Sequence, residues 1–452
     1  MLPTMDANLK RTIGLPALVG IEIGQSIGAG IFALAGLAMA YTGPALFLAF
    51  LAAAVPVGAA LAVLAMLGSA HPVTGGTYVY GARYFSRDAS FLGVWGYMLG
   101  ALLGMFPLYA LTGARFLQAV FPEVPVMASA IILLAIFYLA NLFGVRPALR
   151  LQAVLVCIML LAILTFIVSG TARFDSAAFR PLFSGGAAGF LVASALLTFT
   201  LLGANAAVEL GDEIINPARN IPLSFMISLP VVLVLYMLMA LVMAGSAPGV
   251  AKADPNLPAI AAAFMKGPVL AFFLLGGGFL AVLTTLNATY LWGTRSLIAM
   301  ADDGLFPRRL AVVNRRFGTP HWLLTLVFAI SVLSLLVAGD RVELFAIFAS
   351  IGGILIFLPV MGAAINFKRL APVLYAQPGF RLRGCWRIAA PLAGILLCLV
   401  TIVILLADLL SKDAGPAWLA MFGLWMLCGV AFTLLRHLMG KGRRLGDMGR
   451  RL

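Results

Sequence analysis

Charge is what this chain has least of. Lys, Arg, Asp and Glu make up 10% of its 452 residues, against about 25% in an ordinary soluble protein, so a water-facing surface cannot be built from it. Histidine is nearly absent, with only His71, His321 and His437, and none stands at a spacing that suggests a metal. Of the four cysteines, Cys157, Cys398 and Cys428 fall in apolar runs and Cys385 in a basic stretch, which excludes a disulfide scaffold. Catalysis at membrane depth would need a nucleophile–base pair or a metal cluster, and no histidine accompanies the acidic residues of the apolar runs. The expectation is therefore not an enzyme, with no cofactor and no metal.

What is abundant is apolar: 63% of residues are hydrophobic, with a mean hydropathy of +1.08. Twelve stretches approach the ~20 residues that cross about 30 Å of hydrocarbon. They are 13–40, 44–67, 90–118, 126–143, 148–170, 186–211, 222–245, 267–300, 320–338, 342–366, 388–410 and 416–438. The first run is too long for a signal peptide and lacks a small-residue cleavage site, so it is expected to remain as a helix. An all-α integral membrane protein with 12 transmembrane helices follows.

The net charge of +14 does not point to nucleic acid, because basic residues gather in short segments between spans, as at Lys368-Arg369, Arg308-Arg309 and Arg443-Arg444. An even number of spans puts both termini on one side. That side carries 22 lysines and arginines against 7 on the other, so the termini are expected in the cytoplasm. The division is then 1–12 N-terminus, 13–366 a ten-helix core, 367–387 a basic loop, 388–438 helices eleven and twelve, and 439–452 a basic tail.

Two spans break the rules for a bilayer helix. In the first, Gly20, Gly24, Gly28 and Gly30 weaken the helix, each by about 1 kcal/mol relative to alanine, and Glu22 stands beside them at a depth where charge is expensive. In the sixth, Gly203, Asn205 and Glu209 interrupt Phe199–Glu209 in the same way. Irregular backbone survives in a membrane only where protein or a cavity satisfies its freed groups. Helices one and six are thus expected to be interrupted, within 24–30 and 202–206, and to lie side by side. Five spans separate their starts, so they run in opposite directions, which points to an inverted repeat of five plus five helices with a ligand held between the breaks.

The residues around these breaks carry a resemblance. Gly24-Gln25-Ser26-Ile27-Gly28-Ala29-Gly30-Ile31-Phe32 is similar to the first-helix motif of the amino acid–polyamine–organocation transporter superfamily. Pro72-Val73-Thr74-Gly75-Gly76-Thr77-Tyr78-Val79-Tyr80, Asn141-Leu142-Phe143-Gly144-Val145 and Gly211-Asp212-Glu213-Ile214-Ile215-Asn216-Pro217-Ala218-Arg219-Asn220-Ile221-Pro222 follow in family order. Arg295 and then Ala299–Pro307 and Gly318-Thr319-Pro320 complete the series. The resemblance implies a leucine-transporter-like 5+5 inverted repeat with two further C-terminal helices, in the plasma membrane. It also implies an amino acid or related amine as cargo, moved by alternating access.

At the breaks, amides of Ser26, Ala29 and Gly30 and the positive end of the half-helix after them are expected to seat a carboxylate. Gly28 and Gly30 let a ligand approach the backbone. Carbonyls of Phe199, Thr200 and Leu202, freed by Gly203, can accept from an ammonium group, and the resemblance makes Phe199 an aromatic lid. Gln25, Ile27, Ala204 and Asn205 complete the expected lining. The alternative is that these glycines only let helices pack closely.

The departures bear on coupling. Many proton-coupled members have a lysine seven residues after a glutamine in the fifth helix; here Gln152 is followed by Met159. Met66 stands where many have a second-helix glutamate, and Asn205 where a number have an acid. Glu22 and Glu209 remain. No basic residue stands at the depth of Glu22, and burial disfavours a lone charge. Glu22 therefore carries an exchangeable proton, faces a cationic ligand, or is a protonated structural group bonded to a freed carbonyl. Glu209 lies nearer the cytoplasm and suits a gate salt bridge, a structural role, and Asp302 and Asp303 with Arg308 and Arg309 suit a cytoplasmic ion-pair cluster. For sodium, carbonyls of Gly24 and Ile27 with hydroxyls of Thr284 and Thr285 are the candidates, although adjacent threonines in such helices more often bond the preceding turn. The reading is a proton-coupled transporter. An exchanger or sodium symporter of the same fold, and a non-transporting membrane sensor, are the alternatives.

Overall fold

The computed structural model of the protein describes residues 11–144, 149–302, 305, 312, 314 and 319–448. At 149–153, 204, 291–299, 301–302 and 439–448 only the backbone is described. Gln152, Arg295, Asp302 and the Ala204 side chain thus lie outside the described side chains, and Asp303, Arg308 and Arg309 outside the described residues.

The described elements are all helical. They are α1 (Leu15–Ser26), α2 (Ala29–Thr42), α3 (Leu46–Ala70), α4 (Gly76–Tyr84), α5 (Arg87–Gly100), α6 (Phe106–Val120) and α7 (Val126–Leu142). Next come α8 (Leu149–Thr171), α9 (Gly186–Thr198), α10 (Ala206–Glu209), α11 (Pro217–Ser246), α12 (Pro248–Ala253), α13 (Leu257–Phe264) and α14 (Gly267–Phe272). The chain ends with α15 (Leu280–Asp302), α16 (His321–Ala338), α17 (Val342–Leu355), α18 (Phe357–Leu370), α19 (Pro372–Ala376), α20 (Trp386–Leu410) and α21 (Gly415–Met448).

Among the described residues, ten segments are long and apolar enough to cross a membrane, two fewer than the twelve spans expected. Three facts account for the difference. Leu15–Ser26 is cut off by a break, Val126–Leu142 has 17 residues, and Ala29–Ala70 counts as one run although it turns at Gly43, whose φ of 67° is open to glycine.

Burial separates a centre from a rim. Of the membrane-length windows, 83% of that in Val342–Leu370 and 78% of that in Arg87–Val120 is enclosed by protein, against 17% for Gly415–Leu438, so α5, α6, α17 and α18 form the interior. A π-helical turn, Ala101–Met105, joins α5 to α6. Gly100 and Gly104 there press on α17: a Cβ on Gly100 would stand 2.6 Å from Gly352 Cα. The rim helix α21 docks on α5 through Trp95 and Trp425, stacked at 4.5 Å, each indole N–H donating to the other's carbonyl. Arg436 pairs with Asp88 at 2.6 Å on the same face.

The Pro72–Tyr80 and Gly211–Pro222 motifs fold into one knot. Gly75 takes a left-handed φ of 71° to start α4, and a Cβ on Gly76 would fall 2.5 Å from the Val208 carbonyl. Glu209 accepts from the Thr77 amide and hydroxyl, and Asp212 accepts from the Thr74 amide at 2.8 Å. Both carboxylates thus sit at the positive end of α4. The Thr12 and Ile13 amides donate to the Glu213 carbonyl at 2.9 and 3.0 Å, tying the entry of α1 to the same strip. Burial, and then Arg83, push His71 below its usual pKa, so this loop residue is neutral at neutral pH.

Candidate functional site

The first helix breaks after Ser26. Ile27 (φ −78°, ψ 62°) and Gly28 (φ −110°, ψ −159°) leave the helical region, and α2 starts at Ala29. The sixth loses its α-helical hydrogen bonding at Phe199, three residues earlier than expected, and runs as a 3₁₀ helix through Asn205 before α10. Wound 3₁₀ backbone replaces the unwound segment the sequence suggested; tighter i→i+3 bonding satisfies groups that would otherwise be orphaned. The two breaks touch. A Cβ on Gly203 would lie 2.2 Å from the Ser26 amide nitrogen, and one on Gly30 would lie 3.4 Å from Thr200 Cα.

A cavity of about 110 Å³ opens at this junction. The first helix contributes Gln25, Ser26 and Gly30, and the sixth contributes Phe199, Thr200, Leu202, Gly203, Asn205 and Glu209. Tyr97, Met105 and Tyr109 enter from the α5–α6 rod, Thr285, Ala288 and Thr289 from α15, and Gly353, Ile356 and Phe357 from the α17–α18 junction. Tyr109 stacks on Phe199 at 6.2 Å. Gln25, Tyr97, Tyr109 and Asn205 face the cavity without a hydrogen bond to any described residue.

Several expected contacts are made by protein. The Ala29 amide donates to Thr285 Oγ1 at 3.0 Å, so it is not an open seat for a carboxylate. Ser26 still lies within α1, and its carbonyl accepts from Tyr236 of α11. Ile27 and Ala29 are fully buried in the packing and do not line the cavity. Gly28 is small because Thr285 approaches it: a Cβ there would fall 2.2 Å from Thr285 Oγ1. Close helix packing therefore explains Gly28 and Gly203, and it leaves the Gly30 amide, in the first turn of α2, without an intrahelical acceptor.

Glu22 is fully buried and stands away from the cavity lining. Its partners are not freed carbonyls but two hydroxyls of α11, Ser224 Oγ at 2.6 Å from Oε1 and Ser228 Oγ at 2.6 Å from Oε2. A ligand cation in the cavity would not meet it. Thr284 and Thr285 donate to the Ala281 carbonyl at 2.9 and 2.7 Å, the back-bonding expected of threonines in such a helix. Sequence reading missed Tyr97, Tyr109, Thr289 and Phe357; hydroxyl-bearing aromatics inside an apolar span were the available signal.

One test follows from the packing. Gly203→Val drives a side chain into the Gln25–Ser26 backbone, and overpacking of this kind costs about 1–3 kcal/mol. The expected result is a lower melting temperature in detergent and reduced yield, in addition to lost ligand binding. A variant as stable as the parent would show that the two breaks do not meet.

Residues 13–432 match the family model described as amino acid permease. The chain is similar to the branched-chain amino acid permease BcaP of Bacillus subtilis (27% identical, covering 95% of this chain and 94% of that protein). It is also similar to the methylthioribose transporter of the same organism (30% identical, over 71% of this chain and 74% of that protein). A cationic amino acid transporter 3 of Arabidopsis thaliana is 27% identical over 69% of this chain and 55% of its own length.

Proposed function

The chain belongs to the amino acid permease family, a multi-pass membrane transporter and not an enzyme, and from that premise we propose a secondary active transporter that carries a small neutral amino acid or related amine by alternating access, coupled to protons. The observation that carries this reading is the cavity at the junction of two interrupted helices. The start of α2 offers partial positive charge to a ligand carboxylate through the Gly30 amide. Gln25, Asn205, Tyr97 and Tyr109 offer hydrogen bonds, and Phe199 covers the site from the sixth helix. Among the described residues no lysine or arginine lines the cavity, and the carboxylate there, Glu209, is engaged by Thr77. A net-neutral ligand suits that lining, because an unmatched buried charge is costly.

In this reading residues 13–366 form ten spans arranged as a 5+5 inverted repeat, α20 and α21 stand outside it, and both termini face the cytoplasm of a plasma membrane. Glu22 carries the coupling proton. Sodium is disfavoured because the Thr285 hydroxyl already donates to Ala281 and accepts from Ala29. Relatives with names as different as a branched-chain amino acid permease and a methylthioribose transporter make direct measurement of the cargo necessary.

The experiment is uptake into proteoliposomes with a panel of labelled amino acids, amines and methylthioribose under an imposed pH gradient. Accumulation of small neutral amino acids above equilibration is expected. Binding without flux would make the protein a sensor, and preference for methylthioribose or for cationic amino acids would overturn the cargo assignment.

A further inference from the structure

Glu22 and its two serine partners contain a proton count that does not close with an ionised carboxylate. Ser224 Oγ lies 2.6 Å from Glu22 Oε1 and also 2.9 Å from the Ile221 carbonyl oxygen, while Ser228 Oγ lies 2.6 Å from Oε2. A hydroxyl has one proton to give, and carbonyls and ionised carboxylates only accept. With Glu22 ionised, the single proton of Ser224 is claimed by two acceptors. With Glu22 protonated, Oε1–H donates to Ser224, Ser224 donates to Ile221, and Ser228 donates to Oε2. Each contact then has one proton.

We propose that Ser224, with Ser228, is a positioning residue for the coupling proton: its hydroxyl turns to the Ile221 carbonyl when Glu22 is protonated and to Glu22 Oε1 when it is not. This rests on the reading of Glu22 as the proton carrier. The proton enters and leaves at Oε1, with water as donor and acceptor, and the Ser224 proton stays on its own oxygen. Deprotonation replaces a neutral chain of hydrogen bonds by two donated to a charge, which are roughly twice as strong. The grip of α11 on α1 therefore changes with the charge. The same helix reaches the break about two turns beyond Ser228, where Tyr236 holds the Ser26 carbonyl, so a change in that grip acts directly on the interrupted segment.

The surroundings leave this pair of serines as the local control. Against α1 pack α8, α10, α11 and the 3₁₀ stretch Phe199–Asn205. Their described titratable or charged side chains are Cys157 on α8, Glu209 on α10, and Arg219 and Tyr236 on α11. Glu209 bonds Thr77 and Tyr236 bonds Ser26. Among the described residues only Ser224 and Ser228 hydrogen-bond to Glu22, and none forms an ion pair with it.

The test is infrared difference spectroscopy of the purified full-length protein between acid and alkaline pH, in light and heavy water, beside pH-driven uptake in proteoliposomes. A carboxylic acid C=O band that disappears in Glu22→Gln is expected. In Ser224→Ala the band should move to higher frequency, since its proton loses an acceptor. Its midpoint should rise by about one pH unit, because a bond to the charged form is lost at a cost of about tenfold in the equilibrium. The pH profile of uptake should shift with it, and Ser224→Thr should restore both. Ser228→Ala, expected to raise the midpoint as well, serves if Ser224→Ala does not fold. Uphill uptake that survives Glu22→Gln overturns the carrier role and that of Ser224 together. If Glu22→Gln abolishes uptake while Ser224→Ala leaves band and profile in place, the role of Ser224 alone is overturned.

Discussion

Glu22→Gln is expected to keep exchange of substrate across the membrane while abolishing uphill accumulation driven by an imposed pH gradient. The Glu22 carboxyl is fully buried, and among the described residues its hydrogen-bond partners are two serine hydroxyls. A glutamine has the shape of the protonated acid and can make the corresponding bonds, with its amide NH₂ donating to Ser224 and its carbonyl accepting from Ser228. The α1–α11 packing therefore survives, and the cavity, to which Glu22 does not contribute, keeps its lining. What glutamine cannot do is lose a proton, so the cycle loses its link to the gradient and runs only as an equilibrating exchange. Counterflow and pH-jump uptake measured on the same proteoliposomes separate the two. Accumulation at the parental level would remove Glu22 from the mechanism.

The breaks were legible because glycine and a carboxylate inside an apolar run are costly enough to need a reason. Gly28 and Gly203 mark the junction correctly, yet what they accommodate is Thr285 and the backbone of Gln25–Ser26, a fact of packing between helices far apart in sequence. The same limit hid Tyr97 and Tyr109, which stand on either side of the π turn Ala101–Met105 and reach the cavity from α5 and α6. A one-residue register shift in such a rod moves every side chain around it, and hydropathy carries no record of that. The partners of Glu22 were closer to view. Ser224 and Ser228 stand at i and i+4 in the otherwise apolar stretch 221–235, a spacing that puts both on one face, and two hydroxyls on one buried face ask for a polar group opposite. The motifs that fold around α4 were visible only as a resemblance, and their packing together was not. Gly75 needs its left-handed φ and Gly76 its contact with Val208 whatever the ligand is.

Thr285→Val is expected to weaken substrate binding by about tenfold or more, whereas Thr285→Ser stays near the parental protein. Valine keeps the shape of threonine but removes the hydroxyl that caps the Ala29 amide at 3.0 Å. That donor is buried at the first turn of α2, and leaving it unmade costs about 1–3 kcal/mol, enough at about 1.4 kcal/mol per tenfold to reach the stated loss. The deficit is felt at the ligand because Thr285 and Gly30 both line the cavity and Ala29 lies between the break and Gly30. Thr284 supplies the contrast. Among the described residues its hydroxyl bonds only the Ala281 carbonyl, so Thr284→Val should cost far less. If instead the two hydroxyls held a sodium ion with the Gly24 and Ile27 carbonyls, both valine variants would fail alike. Parental uptake would then collapse when choline replaces sodium. Measuring affinity for both variants, with and without sodium, decides whether α2 is pinned to α15 by a neutral hydrogen bond or by an ion.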